Sequence, residues 1–203
     1  MRIHLLSLLA VTACATAPDA APTAPSRSPV AGPAAVAIPT GDVHDFDYFA
    51  GAWTTQQHRL KARGAGNHDW DDFPATLCMN PYLGSVVDVD ELYFPTKGWS
   101  GVTVRSFDLA KRQWSIYWIS SKTGLLGAPQ LGGFHGDRGE FYGRDDDDGR
   151  PVTVRYAWTK LDHDHAHWEQ AFSYDSKTWE TNWTADFTRA DPAAICDGGR
   201  PKH

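Results

Sequence analysis

The sequence predicts an all-β protein, an antiparallel up-and-down barrel of about ten strands entered through a short helical turn. Three observations lead there. Short stretches in which apolar and polar residues alternate recur at near-regular spacing between residues 52 and 188. Turn chemistry separates them, at Asn80-Pro81, Pro95-Thr96-Lys97-Gly98, 108–111, 136–139 and 145–149. No stretch carries the period of a long amphipathic helix. Short connections favour a meander, and closing a meander removes its exposed edges.

The chain opens on a targeting segment. Arg2 precedes a short apolar run, residues 5–11, which is too brief to span a bilayer. Val11-Thr12-Ala13-Cys14 resembles a bacterial lipobox. That resemblance implies that residues 1–13 are removed as a signal and that Cys14 is lipidated. It implies an outer-membrane lipoprotein facing the periplasm, because Ala15 rather than Asp follows the Cys. The alternative is an ordinary signal cut after Ala17, giving a secreted or periplasmic protein, but Pro18 is disfavoured just past such a cut.

Residues 14–42 are rich in Ala, Pro, Thr and Ser and read as a flexible tether. The barrel is expected over 43–190 and a tail over 191–203. Asp45 to Phe49 is long enough for one helical turn capped by Asp45. Strands are expected at about 52–61, 72–80, 85–94, 101–107, 113–120, 130–135, 140–144, 151–161, 166–174 and 179–188. The last two form the most informative hairpin. Trp168, Gln170, Phe172 and Tyr174 alternate on one strand, and Trp179, Thr181, Trp183, Ala185 and Phe187 on the other. A turn centred on Ser176-Lys177 sets Tyr174 opposite Trp179 and Gln170 opposite Trp183, which makes a single aromatic wall.

Composition bounds the function. Hydrophobic residues make up 41%, nine Trp are present and the net charge is −6. The basic residues are scattered and form no stripe, so a nucleic-acid partner is not expected. Beyond the lipidated Cys14, Cys78 and Cys196 remain in a compartment that permits disulfides. Either a bridge between them or two separate thiols fits the spacing.

Several segments resemble one known group of proteins. Asp45-Phe46 with Gly51-Ala52-Trp53 resembles the short helix and Gly-x-Trp that open calycin (lipocalin-like) barrels. Residues 105–108, 114–118, 141–143, 168–172 and 179–183 resemble an uncharacterised bacterial family with that fold. The resemblance covers roughly 43–190 and implies no established activity. It implies a clasp in which Arg189, just after the last strand, packs over the Trp53 indole.

Carrying the wall's face assignment round the meander places Gln57, Arg59, Trp118, Tyr156, Gln170, Thr181 and Trp183 inside the barrel. If Asp88 and Asp90 face water, Glu91 also points in. An aromatic interior with a few convergent polar groups is the chemistry of a small-molecule site. The expected function is therefore a lipid-anchored barrel that binds a small, mostly apolar ligand and touches the membrane only through its anchor. Two alternatives stay open. One is a barrel enzyme with Glu91 as acid or base and Arg59 or Tyr156 orienting a carboxylate-bearing substrate. The other is a filled barrel whose outer face, with Phe107, Tyr117 and Ile119, meets a partner. No elbow, phosphate loop or dinucleotide fingerprint points to a common enzyme class.

No metal or cofactor is expected. His163, His165 and His167 alternate, but the hairpin there breaks their common direction. The run at 145–149 lacks the spacing of a calcium loop and reads as a solvated turn. Some haem-binding calycins use one strand histidine, a role that His58 or His135 would fill by analogy.

Overall fold

The computed structural model describes residues 37–203. Lipidation at Cys14 and the signal lie outside the described residues. A 3-10 turn, Asp47–Phe49, leads into ten strands. They are β1 (Gly51–Leu60), β2 (Trp70–Tyr82), β3 (Val87–Phe94), β4 (Trp99–Asp108), β5 (Gln113–Ser120), β6 (Gln130–His135), β7 (Arg138–Asp147), β8 (Arg150–Lys160), β9 (His165–Ser173) and β10 (Glu180–Ala190). Each pairs antiparallel with the next, and β1 pairs with β10 to close the barrel. The expected meander is therefore the observed one.

One end is plugged. Phe46 and Phe49 insert among inward aromatics, with Phe49 stacked on Trp53 at 5.1 Å and edge-on to Trp158 at 4.8 Å. Phe46 meets Trp114 at 5.1 Å and Phe134 at 5.2 Å. Edge-to-face contacts at such distances favour a fixed arrangement beyond simple burial. Trp53 is fully buried, and its indole N–H donates to the Phe49 carbonyl at 2.8 Å. Arg189 covers the Trp53 ring at 4.2 Å. It also donates to the carbonyls of Tyr48 (2.6 Å), Ala50 (3.1 Å) and His163 (3.0 Å), so one guanidinium joins the turn, the first strand and the β8–β9 loop. Asp45 does not cap the turn. Its carboxylate accepts from the Asp42 and Phe134 amides, which ties the entering chain to β6.

The barrel's packing begins earlier than the expected tether boundary at residue 42. The Gly41 amide donates to the Arg112 carbonyl at 2.8 Å, and the Trp114 indole donates to the Asp42 carbonyl at 3.0 Å. The expected tail is also structured. A short helix α1 (Pro192–Ile195), with Asp191 accepting from the Ala193 amide, leads to a hairpin of β11 (Cys196–Asp197) and β12 (Arg200–Pro201). Cys196 is disulfide-bonded to Cys78 on β2, with Cα atoms 6.2 Å apart. Cys78 sits on the outer side of β2, between the inward Leu77 and Met79, yet is only 2% exposed.

The β9–β10 hairpin differs from its sequence reading at the turn. Glu180 pairs with Phe172 and Thr181 with Ala171, but Trp183 pairs with Gln170, so Asn182 is an extra residue. Such a bulge turns one additional side chain and shifts parity on one side of it. Gln170 does face Trp183 as expected. Beyond the bulge, Asn182 takes the inward place and is fully buried, while Thr181 is displaced from the interior. Tyr174 and Trp179 fall in the connecting loop, and Trp179 packs outside against Tyr142 at 6.1 Å with Arg155 over its ring.

A second correction concerns β3. Its burial alternates with Asp88, Asp90, Leu92 and Phe94 inward and Glu91 outward. On β4 the inward set is Gly101, Thr103, Arg105 and Phe107, so Phe107 belongs to the interior and not to an outer docking face. The register explains both. Asp88 is directly opposite Arg105 and Asp90 opposite Thr103, so both of these acids are within reach of the buried Arg105 guanidinium.

Candidate functional site

The end opposite the aromatic plug opens into a cavity of about 190 Å³. Its walls are set by inward positions two residues apart on neighbouring strands. β1 supplies Gln57 and Arg59, β4 Thr103 and Arg105, β5 Ile116 and Trp118, and β8 Tyr156 and Trp158. β9 supplies Trp168, Gln170 and Phe172, and β10 supplies Trp183, Ala185 and Phe187. β5 and β6 pair only from Trp114↔Gly132 to Ile116↔Gln130, and past that point the single Ile119–Leu126 bridge continues the wall. The barrel is thus splayed beside Trp118.

Six of the eight expected ligand-contacting residues lie on this wall: Gln57, Arg59, Trp118, Tyr156, Gln170 and Trp183. Glu91 and Thr181 do not. Glu91 is outside beneath the tail, 3.6 Å from His203, and the enzyme reading that made it an acid or base loses that group. Thr181 leaves because of the Asn182 bulge.

The polar groups among the aromatics are mostly satisfied. Trp183 donates its indole N–H to Gln57 Oε1 at 2.7 Å, while Gln57 Nε2 donates to Thr55 Oγ1 at 2.6 Å. Gln170 Nε2 donates to Asn182 Oδ1 at 2.8 Å. Each amide is therefore held in one orientation, as buried polar groups require. Arg59 lies over the Trp183 ring at 4.4 Å, and burial followed by the nearby Arg63 lowers its affinity for a proton from the ordinary arginine range. Burial, reinforced by Asp145, pushes the Tyr156 phenol well above its usual range, so at neutral pH it is a neutral donor.

Deeper in the cavity is a charged group that includes the two acids expected to face water. Arg105 is 2% exposed, and its Nη1 lies 2.8 Å from Asp88 Oδ1 and 2.6 Å from Asp90 Oδ2. The guanidinium also sits over Phe46 at 4.8 Å, so it links the cavity floor to the aromatic plug. Burial disfavours its charge, but Asp90 and Asp88 outweigh that and hold it protonated. Burial raises Asp88 to about 6, against the lowering effect of Arg105.

At the mouth, Asp147 is 2% exposed and organises the loop between β1 and β2. It pairs with Arg63 at 2.7 Å and Arg150 at 2.9 Å and accepts from the Tyr174 hydroxyl at 2.7 Å. Glu180 accepts from the Gly64 amide at 2.8 Å. The acidic run 145–148 is therefore more than a solvated turn, since Asp145 and Asp146 line the cavity and Asp147 is a buried anchor.

No protein-family model matches the chain, and no characterised protein matches it in sequence. The closed ten-stranded antiparallel barrel with its short entering turn is consistent with a lipocalin-like fold.

The histidines stand apart from the cavity. His163 pairs with Asp164 at 2.6 Å, His165 with Asp162 at 2.9 Å and His167 with Asp186 at 2.6 Å, all toward solvent. Among the described residues no group of three or more His, Cys, Asp or Glu is placed to hold a metal ion. His58 stacks outside on Trp70 at 4.1 Å, and His135 is exposed at the end of β6. Neither lines the cavity.

Proposed function

We propose that this protein is a calycin-like binding module, lipid-anchored on the periplasmic side of the outer membrane, that holds a small, mostly apolar ligand in its barrel. The observation that carries this reading is the cavity of about 190 Å³ walled by tryptophans and opening at the end away from the plug. An apolar cavity of roughly 150 Å³ accommodates benzene, so the expected ligand is of single-ring size rather than a long lipid. The fixed amides of Gln57 and Gln170 support it, because a rigid wall lets a small ligand bind without an ordering cost.

Native mass spectrometry of the full chain, purified without denaturant, is expected to show an adduct that dissociates on activation. Single-ring apolar compounds are expected to change tryptophan emission and raise the melting temperature. A bare mass together with no response to any such compound would defeat the binding reading. The disulfide between Cys78 and Cys196 supports the oxidising address. Replacing Cys14 with Ser is expected to move the protein from the membrane to the soluble fraction. Unchanged membrane association of that variant would count against the lipid anchor.

A further inference from the structure

We propose that the cavity takes a small aromatic carboxylate, with its ring among the tryptophans and its carboxylate received by Arg59 at the mouth. The proposal rests on the reading of the cavity as a binding site and specifies the ligand's charge.

The strand register sets the receiving groups in one layer of the barrel. Arg59 on β1 is opposite Trp183 on β10, Trp183 is opposite Gln170 on β9, and Gln170 is opposite Tyr156 on β8. Arg59 and Tyr156, at the two ends of that layer, line the cavity and are part-exposed, whereas the Arg105–Asp90 pair is buried beneath. Among the described residues Arg59 forms no hydrogen bond or ion pair, and its guanidinium lies over the Trp183 ring at 4.4 Å. The Tyr156 hydroxyl likewise donates to no described group and is not sealed off. A half-buried guanidinium without a partner is costly, and a carboxylate matches its planar fork of donors. Burial and the like charge of Arg63 both disfavour the protonated form of Arg59, so an arriving anion relieves it. Trp118, Trp168 and Tyr156 supply aromatic surface for the ring in the same space.

Acids also stand at the mouth, but each is committed elsewhere. Asp71, opposite Arg59 on β2, pairs with Lys97 at 2.6 Å, and Asp147 pairs with Arg63 and Arg150. Asp145 accepts from the Asp146 amide and Asp146 from the Gly149 amide, and both are exposed, so water screens their charge. Arg59 is thus the cation left without an anion beside the apolar space, and a ligand's carboxylate supplies one.

Three probes that share one ring test the assignment: benzoate, benzamide and benzylammonium, titrated into the full chain by calorimetry and tryptophan emission. Benzoate is expected to bind about tenfold or more tightly than the other two. Arg59 contributes no ion pair to the fold, so Arg59→Gln is expected to melt close to wild type. In that variant benzoate is expected to weaken about tenfold or more, to the level of benzamide. Benzamide or benzylammonium binding as tightly as benzoate, or a variant that keeps the preference, overturns the carboxylate assignment and leaves the cavity reading intact. No binding of any probe to wild type overturns both. Should the variant not fold, the wild-type ranking alone decides the ligand's charge.

Discussion

Replacing Arg105 with Met is expected to lower the stability of the barrel by about 3–5 kcal/mol and its melting temperature by roughly 6–20 °C at neutral pH. The methionine fills similar space but leaves Asp88 and Asp90, 2% and 1% exposed, without the guanidinium that both approach. The loss should depend on pH, and the sign follows from Asp88. Burial raises that carboxyl from 3.8 to about 6 in the folded protein, so between those values the folded state binds more protons than the unfolded one. Stability from this group is then greatest in acid and declines as pH rises through about 6. The facing groups are Arg105, Asp90 and Asp47, and the anions among them act in the same direction. Without Arg105, which lowers it, Asp88 favours its protonated form further. The gap between variant and wild type should therefore shrink on acidification toward pH 4 and widen toward pH 8. Thermal melts across that range measure it. A variant within about 1 kcal/mol of wild type at neutral pH would show that Arg105 contributes little beyond a surface ion pair.

Removing the disulfide, as the double variant Cys78→Ala with Cys196→Ala, is expected to cost about 2–4 kcal/mol. The bridge spans a sequence separation of 118 and encloses β3 through β10, so it restricts nearly the whole unfolded barrel. The chain-entropy ceiling for such a loop is about 5 kcal/mol, and the smaller figure allows for residual structure in the unfolded chain. A local effect should accompany the global one. The tail is otherwise held by few contacts, chiefly Asn80 Nδ2 donating to the Gly199 carbonyl at 2.9 Å and His203 against Tyr93 at 4.1 Å. Urea midpoints with and without reductant test both levels. Wild type should fall to the variant's midpoint on reduction, and its tail should become open to proteolysis before the barrel does. A midpoint unmoved by reduction would mean that the bridge anchors the tail without constraining the barrel's unfolded state.

How much of this was legible beforehand varied by level. Strand number and order were, because short alternating segments and their turns are local properties. Six wall residues followed from parity, because on β1, β5, β8, β9 and β10 aromatic or apolar residues mark the inward face. On β3 the pattern Val-Asp-Val-Asp-Glu-Leu-Tyr-Phe fits either parity, and the rule that acids face water chose the wrong one. The available signal was Arg105, in phase with Phe107 on the next strand. An arginine sharing a face with a buried aromatic calls for acids across the sheet.

Taken by itself, the amino-acid order determined the all-β class, the meander and most of the aromatic wall, since side chains alternate at a fixed period wherever a strand runs unbroken. Tertiary structure alone decided the charge of the interior. Asp88 and Arg105 are 17 residues apart, and only the β3–β4 register brings them face to face. A one-residue change of parity at β3 sends Glu91 out and Asp88 and Asp90 in, and a single bulge at Asn182 moves Thr181 off the wall. Both choices depend on which partner a buried polar group finds across the barrel, and that partner lies on another strand.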